Sequence, residues 1–476
     1  MTWNAVFGLL ALFFAPIGFY ASGWFGSRLV RRLRVRRVSA RRERQRLERV
    51  RADGDKRPVS SLSERSRLPV DLSAIRDSPY VYLTDLRITD LRCFREARLS
   101  LRFPGEFATP DDAPLVPNVN LLIGDNGTGK STVLRAAAMV ALGPVLDSSG
   151  FVPYRLVREE RDTALVEGRL AFGGVGGSEP LACDVRMRRR GDFEVVETDT
   201  RGPYWDDLFD ESSPSFFVAG YGVNRRTAED ARSDPSQERG RRRRRFQRVS
   251  SLFDETVSLV PFGAWLPTVS AERRREVAEV LRRALPDDVR FDDDFDGEDA
   301  VFRRRGVPVP FRALSDGYRS YLGWLGDLLF HLSAVAPAHV PLGSMGGIVL
   351  VDEIDLLLHP EWQRKVVLDV AVMFPNIQFI LTTHSPIVTG TLQARNILLA
   401  RDDPDESVSR LSGVRAEVHG LNAEQVLLSS YFSLDTTRAP DVADDLTELA
   451  RKAVRGDDAA RRRYLAVLVD GATGSR

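Results

Sequence analysis

Apolar residues are spread unevenly along the chain. The first block is unbroken: NAVFGLLALFFAPIGFYASGWFG carries no charge from Asn4 to Gly26, a length that fits one membrane crossing of roughly 20 residues. Arginine then dominates SRLVRRLRVRRVSARRERQRLERVR. A secretory signal carries its positive charge ahead of the apolar run. Here the charge follows, which predicts a single-pass anchor with everything after Arg28 in the cytoplasm. Pro16 is tolerated in such a span. Residues 1–26 are therefore expected to be a transmembrane anchor. Residues 27–78 are expected to be a basic juxtamembrane segment, drawn to anionic lipid, running into a Ser-, Pro-, Arg- and Asp-rich linker.

From Tyr80 the pattern changes to alternation. YVYLTDLRITDLRCFREARLSLRF (80–103) alternates apolar and polar in two short runs and predicts a hairpin. VNLLIGDNGTGKSTVLRAAAMVAL places an apolar strand before a glycine-rich loop and a helix. Alternation returns over 164–200, predicting further antiparallel strands, and EDARSDPSQERGRRRRRFQR (229–248) reads as an exposed loop. SAERRREVAEVLRRAL (270–285) predicts an amphipathic helix capped by Ser270. A long apolar helix is expected to begin within RALSDGYRSY (312–321). GGIVLVDE and NIQFILTTHSP read as two buried strands joined by a helix, the mark of a parallel sheet. There is no internal repeat and no sustained heptad pattern.

Composition narrows the class. With 43% hydrophobic and 28% charged residues in 476, the chain is globular, with material for one large core or two. The net charge of +1 hides local asymmetry, and almost all basic charge is arginine. Cys93 and Cys183 are far apart and form no metal or redox pair, which points to a reducing compartment. Only five histidines are present, so a histidine inside a motif carries weight.

The chemistry concentrates in three motifs. GDNGTGKS (124–131) fits G-x-x-x-x-G-K-[ST] and sits between a strand and a helix, the context the motif needs. Gly124, Gly127 and Gly129 let backbone N–H groups curl around phosphate, and the following helix aims its positive end at the same anion. Lys130 is expected on the β/γ-phosphates of ATP and Ser131 on Mg²⁺. Asn126 and Thr132 complete the predicted nucleotide contacts. IVLVDEID (348–355) brings Asp352 to the end of a buried strand as a Mg²⁺ partner and Glu353 as the group that polarises the attacking water. TTHSP ends the next strand, with His384 placed for the γ-phosphate or the water.

These residues carry a resemblance. From Tyr80 to about Asn396 the chain resembles the ABC-type ATPase heads of the SMC and RecF class, in the bacterial AAA_21-like branch. ALSDGYRS resembles that family's signature motif, and EIDLLLHPEWQ its D-loop region. The resemblance implies an α/β P-loop fold of ABC-ATPase head type over 79–400. Its mixed sheet would carry an antiparallel β lobe and a helical insert at about 150–300, with a partly helical extension over 401–476. It also implies a homodimer, or a higher oligomer, that sandwiches two nucleotides. Ser315 and Gly317 would then cap the γ-phosphate held by the partner, and Asp355 would face across the dimer. The family's Q-loop glutamine is not evident; VAGYGVNRRT (218–227) is the equivalent segment, with Asn224 as its substitute.

The tail GLNAEQVLLSSYFSLDTTRAPDVADDL (420–446) resembles ATPases of the Septu type and of some retrons. This implies a separate HNH-type nuclease subunit as partner, at a bacterial inner membrane given the anchor. The stretch after His384 is too short for a Toprim nuclease domain, and the histidines are too few for an HNH motif. The alternative is a membrane-anchored RecF/SMC-like DNA-repair or DNA-structure ATPase, in which the arginine run 241–245 meets nucleic-acid phosphates. A transporter motor is disfavoured, since one crossing builds no translocation path.

Overall fold

The computed structural model describes residues 80–472 except 108–112, 150, 173–180, 192, 203–215, 228–243, 297–298, 404–407, 415 and 433. The span predicted at 4–26, the segment at 27–78 and most of the 229–248 loop lie outside the described residues. Among the described residues no helix is long and apolar enough to cross a membrane.

A six-stranded sheet forms the centre. It is built from β3 (Val119–Gly124), β7 (Val218–Tyr221), β11 (Gly347–Val351), β12 (Ile377–Thr382), β13 (Ile397–Asp403) and β14 (Val408–Gly413), in the order β14-β13-β3-β12-β11-β7. Only β14 runs antiparallel, so the sheet is mixed. Its inner strands are mostly apolar because both faces are covered, with Asn120 in β3 and Gln378 in β12 as buried exceptions. In β11, Ile348 and Leu350 face one core, and Val349 and Val351 the other.

The first core is shared with a five-stranded antiparallel lobe. It comprises β1 (Val81–Leu91), β2 (Phe94–Ser100), β4 (Thr163–Phe172), β5 (Leu181–Arg190) and β6 (Phe193–Arg201), ordered β2-β1-β4-β5-β6. Helix α1 (Lys130–Leu142) runs between lobe and central sheet and packs on both. It therefore has no solvent face, and its run of alanines lets two sheets approach one helix. The second core lies on the opposite face, under α2 (Ala271–Ala284), α3 (Asp316–Val335) and α4 (Pro360–Met373). The small antiparallel sheet of β8 (Val289–Asp296), β9 (Asp299–Arg304) and β10 (Val307–Pro310) joins it.

The hairpin at 80–103, the strands over 164–200, the parallel pair β11–β12 and α2 form as the pattern predicts. Ser270 accepts the Arg273 N–H as the cap of α2. The insert expected over about 150–300 holds, among its described residues, the strands read from alternation over 164–200 and the helix read at 270–285. Among the described residues there, α2 alone of the helices exceeds four residues, beside the strands β4 to β8 and four helical turns of three or four residues. Period-two alternation gives β4 and β5 one apolar face, which packs on α1. After β14 come a short helix, Ala423–Leu427, and a hairpin of two helices, α5 (Pro440–Val454) and α6 (Asp458–Ala472).

Two buried amides lock the lobe to the central sheet. Gln378 on β12 accepts the Leu83 N–H at 2.9 Å and donates to the carbonyls of Leu83 and Arg102 at 2.7 and 2.8 Å. Asn120 on β3 accepts the Arg102 N–H at 2.7 Å and donates back to its carbonyl at 2.8 Å. Each side chain imitates a neighbouring strand.

Two stability predictions follow from this packing. A Cβ on Gly168 of β4 would lie 2.0 Å from Val140 Cγ1 on α1. Gly168→Ala is expected to cost about 1–3 kcal/mol by overpacking. Adding Val140→Ala should return part of that loss in denaturant unfolding, whereas a double variant that gains nothing back would refute the clash. Asp369, on α4, has its carboxyl pushed up to about 6 by burial, with Lys365 opposing weakly. Below pH ~4 both folded and unfolded chains hold the proton and nothing is lost. As pH rises through the interval to 6 the unfolded chain ionises first, so stability falls by up to ~3 kcal/mol. Asp369→Asn should be more stable than wild type at pH 7.5, and that advantage should vanish near pH 4. Equal stability at both pH values would exclude the buried carboxyl as its source.

Candidate functional site

The phosphate loop starts where β3 runs out. Gly124 has φ 151°, and a Cβ there would sit 2.2 Å from the Ala400 carbonyl on β13. At Gly129 (φ 90°) a Cβ would meet Cys93 Sγ at 2.5 Å and the Phe94 ring at 2.6 Å. Gly127 (φ 86°) has nothing within 4 Å of its Cβ position, so the middle of the loop faces open space. The Thr128 hydroxyl closes the loop on the Asp125 carbonyl at 2.8 Å.

Helix α1 has no capping side chain and no acidic residue in its first turn. Its positive end is therefore uncompensated by the chain, the electrostatic condition for holding an anion. Lys130, 6% exposed, donates from Nζ to the carbonyls of Gly124 and Asp125 at 2.9 Å each. Burial lowers the pKa of its ammonium, and the carboxylates of Asp352, Glu353 and Asp125 pull it back.

Strand β12 lies between β3 and β11, and all three run parallel, so their carboxyl ends share one edge. Asp352 and Glu353 leave the end of β11, and Thr382, Thr383 and His384 leave the end of β12. Asp352 is buried. The Thr382 hydroxyl donates to Asp352 Oδ1 at 2.5 Å and accepts the Glu353 N–H at 2.7 Å. Glu353 itself has φ 49°, a left-handed conformation uncommon outside glycine.

Of the residues nominated from sequence, Asn126, Gly127, Gly129, Lys130, Ser131, Thr132, Asp352, Glu353 and His384 line one cleft of about 290 Å³. Gly124 lies beneath it, against β13. Ser315, Gly317 and Asp355 do not line it. Ser315 is exposed at the N-cap of α3 and makes no side-chain capping bond. The open side of Gly317 is taken by its own chain, since a Cβ there would meet the Leu357 carbonyl at 2.4 Å. The Asp355 carboxylate accepts the Thr383 hydroxyl. Asn224 does not line the cleft either; its amide donates to the Glu255 carbonyl at 2.5 Å.

Four residues at the site escaped sequence reading. Arg92 and Cys93, at the β1–β2 turn, form part of the cleft wall. Thr382 bridges the two acidic residues. Arg225 is buried and donates from Nη2 to the carbonyls of Asp352 and Glu353, the latter at 2.8 Å, and from Nε to that of Gly222 at 3.2 Å. Burial lowers its pKa to about 10, opposed by the charges of Asp352, Asp355 and Glu353, so it stays a cation at neutral pH. Arg225 follows β7 beside Asn224 and Arg226, and nothing in that polar run marks it out from sequence.

The donor set fits Mg²⁺ and a polyphosphate. The Ser131 hydroxyl and Asp352 carboxylate are hard oxygen ligands beside the lysine and the open glycine loop. Among the described residues no group of three or more His, Cys, Asp or Glu forms a metal cage. An ion here would complete its shell with phosphate and water.

The chain is similar to several known proteins. "Septu protein PtuA" of Bacillus mycoides is 26% identical over 336 residues, covering 69% of this chain and 42% of that protein. "Retron Ec83 probable ATPase" of Escherichia coli is 38% identical over 104 residues, 22% of this chain and 19% of that protein. The chain thus spans less than half the length of these relatives. Among solved structures, the SMC head domain from Thermotoga maritima is 16% identical, with a TM-score of 0.36 over 70% of this chain and 99% of that one. The profile of the AAA_21 family, described as "AAA domain, putative AbiEii toxin, Type IV TA system", matches residues 119–389. That match begins at the first residue of β3, ends with the short helix after His384 and takes in more than half of the sequence, so the chain belongs to the AAA_21 family.

Proposed function

We propose that this protein binds and hydrolyses ATP with Mg²⁺ as a head-to-tail dimer, and that the cycle gates a separate effector in bacterial antiviral defence. The observation that carries the catalytic part is the Thr382 bridge. One hydroxyl holds the Asp352 carboxylate and the Glu353 backbone together, on the same cleft as Lys130 and Ser131. Loop N–H groups, the end of α1 and Lys130 bind the phosphate chain. Ser131 and Asp352 hold Mg²⁺, whose charge offsets that of the phosphates. Glu353 takes the proton of the attacking water, and His384, on the same wall, orients that water or the terminal phosphate.

The dimer reading rests on Ser315. A serine at a helix N-terminus, exposed and with its hydroxyl uncommitted to its own helix, is half of an anion site. The cleft's volume of about 290 Å³ is at the lower edge of what small-molecule sites occupy, consistent with a second surface closing over it. The defence role is drawn from the similarity to Septu and retron proteins, and the HNH-type nuclease subunit is proposed from the resemblance of the 420–446 segment alone. Membrane attachment through residues 4–26, with the ATPase in the cytoplasm, is proposed from sequence alone.

Direct binding of nucleic acid by this head ranks second. On the antiparallel lobe, Arg87, Arg98, Arg188 and Arg201 each pair with a carboxylate of Glu96, Glu167, Glu197 or Asp184. These arginines are already neutralised and would gain little from a phosphate backbone.

Purified protein should hydrolyse ATP slowly and only with Mg²⁺. Glu353→Gln is expected to keep nucleotide affinity, lose about 10²–10³-fold in kcat and accumulate as a dimer with ATP on size-exclusion chromatography. Lys130→Ala should lose binding itself. Hydrolysis by Glu353→Gln at the wild-type rate would remove Glu353 from the mechanism.

Mixing tests the sandwich. Ser315→Arg should bind ATP as a monomer yet neither dimerise nor hydrolyse, because a cation and extra bulk fill the subunit gap. Combined with Lys130→Ala, the heterodimer places both defects in one composite site and leaves the other whole, so activity should partly return. A mixture as inactive as its components, with ATP affinity already lost in Ser315→Arg, would mean Ser315 serves its own subunit.

A further inference from the structure

Granting that Glu353 is the general base, we infer that Arg225 is the positioning residue that holds it in its working conformation. The left-handed backbone of Glu353 (φ 49°) is sparsely populated for a residue with a side chain, and such a state persists only when its surroundings over-determine it. Two clamps do so. Thr382 Oγ1 accepts the Glu353 N–H at 2.7 Å, and Arg225 Nη2 donates to the Glu353 carbonyl at 2.8 Å. The same nitrogen also reaches the Asp352 carbonyl, so one guanidinium fixes both peptide planes that flank the turn. The bond from Nε to Gly222 at 3.2 Å sets the guanidinium plane.

Arg225 is anchored from behind as well. A Cβ on Gly323 of α3 would lie 3.2 Å from the Arg225 carbonyl, so the segment after β7 rests directly on the helix that begins at Ser315. The guanidinium does not line the cleft. Its influence on hydrolysis runs through Glu353, and its backbone transmits the position of α3 to that same turn. Asn224, the residue nominated from sequence for this segment, points elsewhere, and its neighbour makes the connection.

A double-mutant cycle on the full chain tests this. ATPase kcat, affinity for a fluorescent ATP analogue and melting temperature are measured for wild type, Arg225→Lys, Glu353→Gln and the double variant. A lysine has one donor group where the guanidinium presents a fork. Arg225→Lys is therefore expected to bind the analogue within about 3-fold of wild type and to lose about 10–100-fold in kcat. In the Glu353→Gln background it should lower the residual rate by less than about 2-fold, since the group it positions is gone. An unchanged kcat overturns the inference. So does an equal fold-loss in both backgrounds, or a loss of nucleotide affinity that tracks the melting temperature. Wild-type hydrolysis by Glu353→Gln alone instead removes the base assignment, and is read without reference to Arg225. If Arg225→Lys does not fold, Arg225→Gln, whose amide nitrogen lies two bonds short of Nη2 and cannot bridge the two carbonyls, runs through the same cycle with the same outcomes.

Discussion

The in-register parallel pairing of β3, β12 and β11 is the constraint on which the site depends. Leu381 of β12 lies beside Val351 on one side and Leu121 on the other. One step further along, Thr382 is brought next to Asp352, close enough for a 2.5 Å hydrogen bond. A one-residue slip of β12 would turn Thr382 to the other face and bury the wrong set of side chains. Two apolar cores, one on each side of the sheet, hold the register. The chemistry then needs only the polar residues at the strand ends.

The lobe contributes by covering rather than by reacting. It buries the second face of α1, the helix whose N-terminus opens onto the cleft. Apolar packing alone does not fix where one sheet sits on another, because it is non-directional. Gln378 and Asn120 supply the direction, each pairing with both the N–H and the carbonyl of a single residue, Leu83 and Arg102 respectively. Leaving such buried backbone groups unpaired costs about 1–3 kcal/mol each. The same lobe sets Cys93 and Phe94 against Gly129, so the shape of the phosphate loop depends on a turn some 30 residues upstream (roughly, as loop closure across such a span is cheap).

How much of this was legible in sequence follows from how local each signal is. The phosphate loop, Asp352, Glu353 and His384 announce themselves because a strand, a turn and a helix start lie within a few residues of each other. The lobe strands are visible as alternation, and α2 as an apolar stripe at helical spacing behind a serine cap. Thr382 and Arg225 are different. Thr382 occupies the last position of an apolar strand, where a threonine is a good strand residue, and only its neighbour across the sheet gives it a role. Arg225 acts through backbone carbonyls 127 and 128 residues away, a relation that no local spacing encodes. Asn120 and Gln378 were passed over for the same reason: their partners belong to another sheet.

The residues that do not line the cleft are still joined to it. The Asp355 carboxylate takes the hydroxyl of Thr383, the residue before His384. Two positions on, Leu357 has φ 61° and is 62% exposed, and its carbonyl lies against Gly317 at the start of α3. The segment from Glu353 to Leu357 thus begins at the acidic pair, is pinned midway to the end of β12 and finishes on the helix that Ser315 opens. With a left-handed residue at each end it is a tight turn, closed by the Leu356 N–H on the Glu353 carbonyl and the Leu358 N–H on the Asp355 carbonyl at 3.0 Å each. Gly317 is therefore required by its own chain whatever it meets on another, and the exposed face around Ser315 is tied by covalent and hydrogen-bonded links to the cleft where phosphate would bind.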